Sequence, residues 1–128
     1  MSQDLWPEDD ASESVRIYVR SIGDHARLVN RERAALLEDA LLAAVRGGLD
    51  EDGRAAAAQL AHQLVGSAGT FGFPGASLLA GELERFFDDG EFGDRARLAD
   101  ARRQLAALHR ELAAEPAYRT ERDGPDRP

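Results

Sequence analysis

One histidine, His62, lies in a predicted helix whose small residues leave space around it. The sequence there reads Ala61-His62-Gln63-Leu64-Val65-Gly66-Ser67-Ala68-Gly69-Thr70-Phe71-Gly72. At about 100° per residue, one narrow sector of this helix is apolar and holds Ala57, Leu60, Ala61, Leu64, Ala68 and Phe71. His62, Gly66 and Gly69 fall roughly opposite. The spacing therefore predicts an imidazole that faces solvent and is open to contact with something large.

The two glycines on the histidine's side of the helix indicate a contact surface. Glycine inside a helix costs roughly 0.8–1.0 kcal/mol relative to alanine, so the pair gives up about 2 kcal/mol. Glycine also lets another surface approach the backbone closely. Tight packing of a neighbouring helix of the same chain is the alternative explanation. The core side is already occupied by Leu60, Leu64 and Ala68, so the pattern favours an approach from outside.

The imidazole itself is the group that could react. A neutral imidazole is a good nucleophile near neutral pH, and it can accept a phosphoryl group from an acyl phosphate and release it again. This chemistry needs an exposed ring, a group that fixes the tautomer and a flat surface for docking. A hydrogen bond at one ring nitrogen decides which nitrogen is free to attack. A carboxylate on an adjacent helix would provide that bond.

Other chemistries fit the sequence poorly. His25, His62 and His109 are isolated, without the spacing of metal ligands, so no metal site and no cofactor are expected. The absence of cysteine excludes thiolate sites and cysteine nucleophiles. The spaced glycines lie within a helix and lack the preceding strand of a phosphate-binding loop. Ser67 lies to one side of the histidine, and no oxyanion site is evident.

Length and charge restrict the class of protein. The chain has 128 residues, enough for one domain, and its formal net charge is −8. An acidic surface argues against sequence-independent binding to nucleic acid. No apolar run approaches the ~20 residues of a membrane span, and the first residues lack the features of a signal peptide. We therefore expect a cytoplasmic protein that binds neither nucleic acid nor a membrane.

The hydrophobic spacing predicts four helices. The first runs from about 12 to 47, either unbroken or broken near Gly23-Asp24. The second is capped by Asp50 or Asp52 and ends around 71–73, the third begins at Pro74, and the fourth spans about 93–114. Long amphipathic helices with short connections favour an all-α, antiparallel four-helix bundle. We assign residues 1–10 to a flexible N-terminus, 11–115 to the bundle and 116–128 to a disordered tail.

The motif Ala61-His62-x-Leu64-x-Gly66-Ser67-Ala68, followed by Gly72, Leu79 and Leu83-Glu84, resembles the histidine-containing phosphotransfer (HPt) domain. Members of that family are four-helix bundles that shuttle phosphoryl groups between the receiver domains or kinases of phosphorelays. The resemblance implies that His62 is phosphorylated, at Nε2, and that Glu84 hydrogen-bonds the other ring nitrogen. Gly66 stands where the family needs a small residue to admit the receiver domain.

One position departs from the family pattern. The family usually has a lysine three residues after the histidine, and this chain has Val65. A cation there would stabilise the transferring charge, whereas valine cannot. Slower transfer, a cation supplied by the partner and a loss of transfer are all compatible with this change. Gln59, one turn before His62, is a candidate to hydrogen-bond the phosphoryl oxygens, and Arg54 and Arg85 are more distant candidates.

Three hypotheses follow from the sequence. The first is a phosphocarrier, not an enzyme, that exchanges a phosphoryl group between His62 and the aspartate of a response-regulator receiver domain, with a hybrid histidine kinase as a further partner. The second is a module that docks receiver domains without efficient transfer. The third is a structural bundle whose histidine is covered. We expect a monomer, with a docking surface that holds His62 together with Ala58, Gln59, Val65, Gly66 and Gly69.

Overall fold

Four helices make up the described part of the chain. The computed structural model describes residues 8–114, with side chains from Ser12 onwards. In chain order the helices are α1 (Glu8–Val45), α2 (Glu51–Thr70), α3 (Pro74–Asp89) and α4 (Arg95–Ala113). Residues 8–114 contain no strand. Because the connections 46–50, 71–73 and 90–94 are short, consecutive helices run antiparallel. The expected all-α four-helix bundle is confirmed.

The first helix begins earlier than the sequence indicated. It starts at Glu8, whereas the hydrophobic spacing predicted a start near residue 12. The helix also continues through Gly23 without a break. The rest of the predicted N-terminal segment, and the predicted tail over 116–128, lie outside the described residues. Among the described helices, none combines the length and the apolarity that a membrane crossing requires.

Side chains and a glycine define the helix ends close to where the sequence predicts them. The carboxylate of Asp50 accepts a hydrogen bond from the N–H of Gly53 at 2.8 Å and begins α2. Asp94 does the same for α4, accepting from the N–H of Ala96 at 3.0 Å. Gly90 ends α3 with a φ of 67°, a left-handed conformation that glycine adopts without strain.

The core lies between the inward faces of all four helices. Its buried side chains are mostly alanine, leucine and phenylalanine, among them Leu37, Leu41, Ala57, Ala61, Leu64, Ala68, Ala76, Ala80, Leu83, Phe87, Leu105, Leu108 and Leu112. Small side chains on the facing sides of α2 and α3 let these two helices pack closely. Burial of Ala61 and Leu64 fixes the rotation of α2, and His62, which lies between them in sequence but on another side of the helix, is turned outward.

One buried polar side chain connects α1 to α2. Asn30 is fully buried, and its Nδ2 donates to the hydroxyl of Ser67 at 3.0 Å. Its Oδ1 accepts from Nη1 of Arg33 at 2.8 Å. Because buried polar groups are costly without partners, these bonds fix the contact between the two helices.

The N-terminal part of α1 extends past the end of the bundle. The 38 residues of α1 give the whole helix a length of about 57 Å, whereas α2, with 20 residues, is about 30 Å long. The first fully buried residue of α1 among those described is Asn30. Next to it, Arg27 donates to the carbonyls of Ala113 and Ala114 at 3.0 and 3.1 Å, at the end of α4. We call residues 12–25, which lie beyond this contact, the overhang.

The buried contact of Asn30 predicts a stability effect. Ser67→Ala removes the acceptor and leaves a buried amide donor without a partner, which costs about 1–3 kcal/mol of unfolding free energy. The measurement is urea denaturation followed by circular dichroism, with Thr70→Ala as the control because that hydroxyl is exposed on the same helix. Equal losses in the two variants would contradict this account.

Candidate functional site

His62 lies on the outer face of α2 and is open to solvent. Its side chain is 66% exposed, although the neighbouring Ala61 and the nearby Leu64 are completely buried. The helix therefore presents the ring outward while its backbone is fixed by the core. A histidine in a purely structural role would be covered, and this one is not.

A carboxylate on α3 lies within hydrogen-bond distance of the imidazole. Oε2 of Glu84 lies 3.0 Å from Nδ1 of His62, within the range of a hydrogen bond. An ionised carboxylate can only accept, so Nδ1 donates its proton to it. The other ring nitrogen, Nε2, then carries the lone pair and faces away from the bundle. The Glu84 side chain is 27% exposed, so it is partly enclosed between the helices.

The surface beside the imidazole is cleared of side chains. A Cβ placed on Gly66 would meet no atom within 4 Å, and one on Gly69 would meet only the side chain of Ser77, at 3.4 Å. Both glycines are exposed. The open space at Gly66 excludes close packing of a helix of the described chain as the reason for that glycine, whereas Gly69 lies within contact distance of Ser77 on α3. The two glycines leave a low strip of backbone next to the ring.

Val65 lies between the glycine strip and α3. It is half-buried and packs against the core, and its Cγ2 is 3.9 Å from the position of a Cβ on Gly81. Its carbonyl accepts a hydrogen bond from the hydroxyl of Ser77 at 2.7 Å. Residues three apart on a helix are neighbours, so a longer cationic side chain at this position would be able to reach the ring.

A shallow groove adjoins the imidazole on the side away from Val65. It is lined by Arg54, Ala55, Ala58, Gln59, His62, Glu84 and Asp88. Gln59 is exposed there, one turn before His62. Ala58, which we placed on the docking surface, is only 8% exposed and forms the floor of the groove, so a partner would touch it only over a small area.

Arg54, the cation in this groove, is already held by other groups. Its Nε donates to Glu51 at 2.9 Å and its Nη1 donates to the carbonyl of Phe87 at 2.9 Å. The hydrogen bond between Arg54 and Glu51 lowers the pKa of the Glu51 carboxyl and raises the pKa of Arg54. Arg85 lines a different groove, between α3 and α4. Neither arginine is therefore placed to supply the cation that a lysine at position 65 would provide.

The other polar candidates are separate from His62. Ser67 faces α1 and accepts from the buried Asn30, so it does not form a nucleophile pair with the histidine. His109 Nε2 lies 2.8 Å from Oε1 of Glu38, on the opposite side of the bundle formed by α1 and α4. Within residues 8–114 there is no group of three or more His, Asp or Glu side chains that could hold a metal ion.

The sequence did not indicate two of the contacts around the site. The bond from Arg54 to the carbonyl of Phe87 joins α2 to the end of α3, and Ser77 bonds to the carbonyl of Val65. Both depend on how the two helices are aligned. The one signal available in the sequence concerned Arg54: it lies three residues after Glu51, a spacing that brings the two side chains together on a helix.

The fold and the site define a class of protein: a four-helix bundle with a solvent-facing histidine, within hydrogen-bond distance of a carboxylate, on one face. Comparison with known families gives a match to the Hpt domain over residues 29–116, and the chain belongs to this family. No curated protein and no solved structure matches the chain. Hpt domains are phosphotransfer modules of phosphorelays that interact with receiver domains, and they are phosphocarriers rather than enzymes.

The contact between Glu84 and His62 predicts the tautomer of the ring. Glu84→Ala removes the acceptor at Nδ1, so we expect the ratio of the Nδ1–H to the Nε2–H form to fall about tenfold, which corresponds to about 1.4 kcal/mol. Nitrogen-15 NMR of the neutral imidazole measures the two forms. Glu82→Ala, at an exposed carboxylate on the same helix, is the control and should leave the ratio unchanged. An unchanged ratio in Glu84→Ala would disprove the orienting role.

Proposed function

We propose that this chain is a histidine phosphocarrier of a two-component phosphorelay. It exchanges a phosphoryl group between His62 and the aspartate of a response-regulator receiver domain. The observation that carries the proposal is the combination of a 66% exposed imidazole with a carboxylate 3.0 Å from Nδ1. Only Nε2 is then free to react. Membership of the Hpt family supports the same function.

The transfer step follows from this geometry. The lone pair of Nε2 attacks the phosphorus of the receiver's aspartyl phosphate, the phosphorus–nitrogen bond forms, and the phosphorus–oxygen bond to the aspartate breaks. The aspartate leaves as a carboxylate. Positive charge develops on the ring as Nε2 becomes bonded, and the carboxylate of Glu84 stabilises it through the Nδ1 proton. The reverse step returns the phosphoryl group to an aspartate, so the protein has no net turnover of its own.

The receiver domain would dock on the outer face of α2. Gly66 and Gly69 allow its backbone to come close to the ring, and Gln59 and the edge of Val65 border the contact, with Ala58 beneath. A flat surface with few large side chains suits a transient complex, which is smaller than the ~1,600 Å² of a standard stable interface. A hybrid histidine kinase with its own receiver would use the same face. We place this exchange in the cytoplasm.

The charge of the transferring group must be balanced by the partner. Val65 provides no cation, and Arg54 is engaged by Glu51 and the carbonyl of Phe87. Glu84 and Asp88 add negative charge to the groove beside the ring. Positive charge supplied by the receiver domain would therefore compensate the phosphoryl oxygens during transfer.

The second candidate function is a module that binds receiver domains without efficient transfer. Val65 in place of lysine is the observation that favours it. In that case His62 is a contact residue, and the protein sequesters receivers. Binding of a phosphorylated receiver without labelling of the histidine would distinguish this function from that of a phosphocarrier.

His62→Gln tests the proposed function directly. We expect the purified chain, incubated with a panel of phosphorylated receiver domains, to acquire a phosphate that survives alkali and is lost in acid. His62→Gln should fold normally and acquire none, because the only attacking nitrogen is gone. His109→Gln is the matched control, since that histidine also contacts a carboxylate but through Nε2, and it should label like the native protein. Equal labelling of His62→Gln would refute the proposal.

The missing cation gives a second test. Val65→Lys places an ammonium group at the edge of the site, and we expect it to speed phosphoryl transfer by about tenfold, the effect of about 1.4 kcal/mol on the barrier. Val65→Gln is the control because it is long and polar but uncharged. Single-turnover transfer from a phosphorylated receiver measures both. If both variants change the rate equally, charge is not the limiting factor.

A further inference from the structure

The overhang of α1 is unpacked over residues 12–22 in the described structure. Every residue from Ser12 to Ile22 is exposed, which amounts to three helical turns without one buried position. An isolated helix of this length is only marginally stable in water, since most helical stability comes from packing of an apolar face. Such a helix is therefore stabilised when another surface covers it.

The overhang carries the apolar pattern of a helix that pairs with another helix. Val15, Tyr18, Val19 and Ile22 are 61, 68, 49 and 41% exposed. Their spacing of three, four and seven residues places them on one side of α1, and we call them the seam. The same side continues into Ala26, which is half-buried where the bundle begins.

The described chain offers nothing to cover the seam. The contact of Arg27 with Ala113 and Ala114 shows that α4 ends where the overhang leaves the bundle.

The charge of the overhang suits a second copy of the same chain. The overhang contains two acidic residues, Glu13 and Asp24, and two arginines, Arg16 and Arg20, so its net charge is zero. Three further acidic residues, at positions 8–10, precede it on the same helix, and the whole chain carries −8. Two copies that meet antiparallel through the neutral overhang hold these acidic residues at opposite ends of the pair, which limits their mutual repulsion. Glu13 and Arg16 already form an ion pair at 3.5 Å within each copy.

We propose that the seam is the interface of a homodimer, in which the overhangs of two copies pack antiparallel. Two-fold symmetry makes the same seam serve both partners. The seams and their flanks would bury on the order of 1,000 Å² in total, near the minimum for a specific complex, so association depends on concentration. The antiparallel arrangement separates the two acidic bundles. This proposal replaces the expected monomer, and it does not depend on the proposed phosphoryl transfer.

The family match is consistent with a separate role for this part of α1. It begins at residue 29, so the overhang lies outside the matched domain. The Asn30–Ser67 bond places these two residues at the same height along the antiparallel helices α1 and α2. Ile22 lies eight residues before Asn30, and His62 lies five residues before Ser67, so the two lie in opposite directions from that bond. The seam is thus about 20 Å from His62 along the bundle axis. Dimerisation would leave the histidine accessible.

The experiment is sedimentation equilibrium of the full chain over a hundredfold range of concentration. We expect the average mass of the native protein to rise from 13.9 kDa towards twice that value. Val15→Gln with Ile22→Gln should remain monomeric, because the seam becomes polar while helix propensity is kept. Ile17→Gln with Leu28→Gln is the matched control: both residues are exposed but lie on the other side of α1, so this variant should dimerise like the native protein.

Two results would overturn the proposal. One is a native protein whose mass stays at 13.9 kDa at every concentration. If the seam variant then lost affinity for a receiver domain, the seam would contact the receiver and not a second copy. The other is equal dimerisation of the seam and control variants.

The relative orientation of the two overhangs is tested with single cysteines, since the chain has none. A mixture of Ser14→Cys and Ser21→Cys should form a disulfide between unlike chains, and preferential linking of like chains would exclude the antiparallel arrangement.

Discussion

The site depends on the alignment of α2 with α3. The hydrogen bond between Nδ1 of His62 and Glu84 joins residues on different helices, so it exists only if the two helices are held at one relative position. Two further bonds fix that position. Ser77 donates to the carbonyl of Val65 at 2.7 Å on one side of the pair. On the other side, Arg54 of α2 bonds to the end of α3.

The same packing explains why the imidazole of His62 can stay exposed without weakening the fold. Ala61 and Leu64 are completely buried, and their contacts hold the backbone on both sides of His62. The histidine itself contributes little buried surface, so its exposure has a small effect on stability. The site lowers stability mainly at Gly66, because glycine within a helix is less favourable than alanine.

Much of this arrangement could be predicted from the sequence, because it depends on local signals. Helical periodicity predicted the outward position of His62, and the N-cap at Asp50 and the turn before Pro74 set the limits of α2 and α3. The resemblance to HPt domains singled out Glu84, and the structure places it within hydrogen-bond distance of the ring. Its role as the group that orients the ring stays a prediction.

The rest could not be predicted because it depends on contacts between distant parts of the chain. The bond from Asn30 to Ser67 links positions 37 residues apart, and nothing in the local pattern identifies it. The near burial of Ala58 depends on the closeness of α3, which a helical wheel of α2 alone does not contain. The sequence likewise left open whether the first helix breaks near Gly23, and the structure shows it continuous there.

The three bonds between α2 and α3 have a consequence for signalling. They lie at three levels along the helices, from Arg54 through His62 to Val65, and they prevent the helices from sliding or rotating against each other. A group added at Nε2 would point into solvent and disturb none of them. The modified and unmodified proteins would then share one shape. A partner that discriminates between them would have to sense the added negative charge itself, at a single atom, and not a rearranged surface.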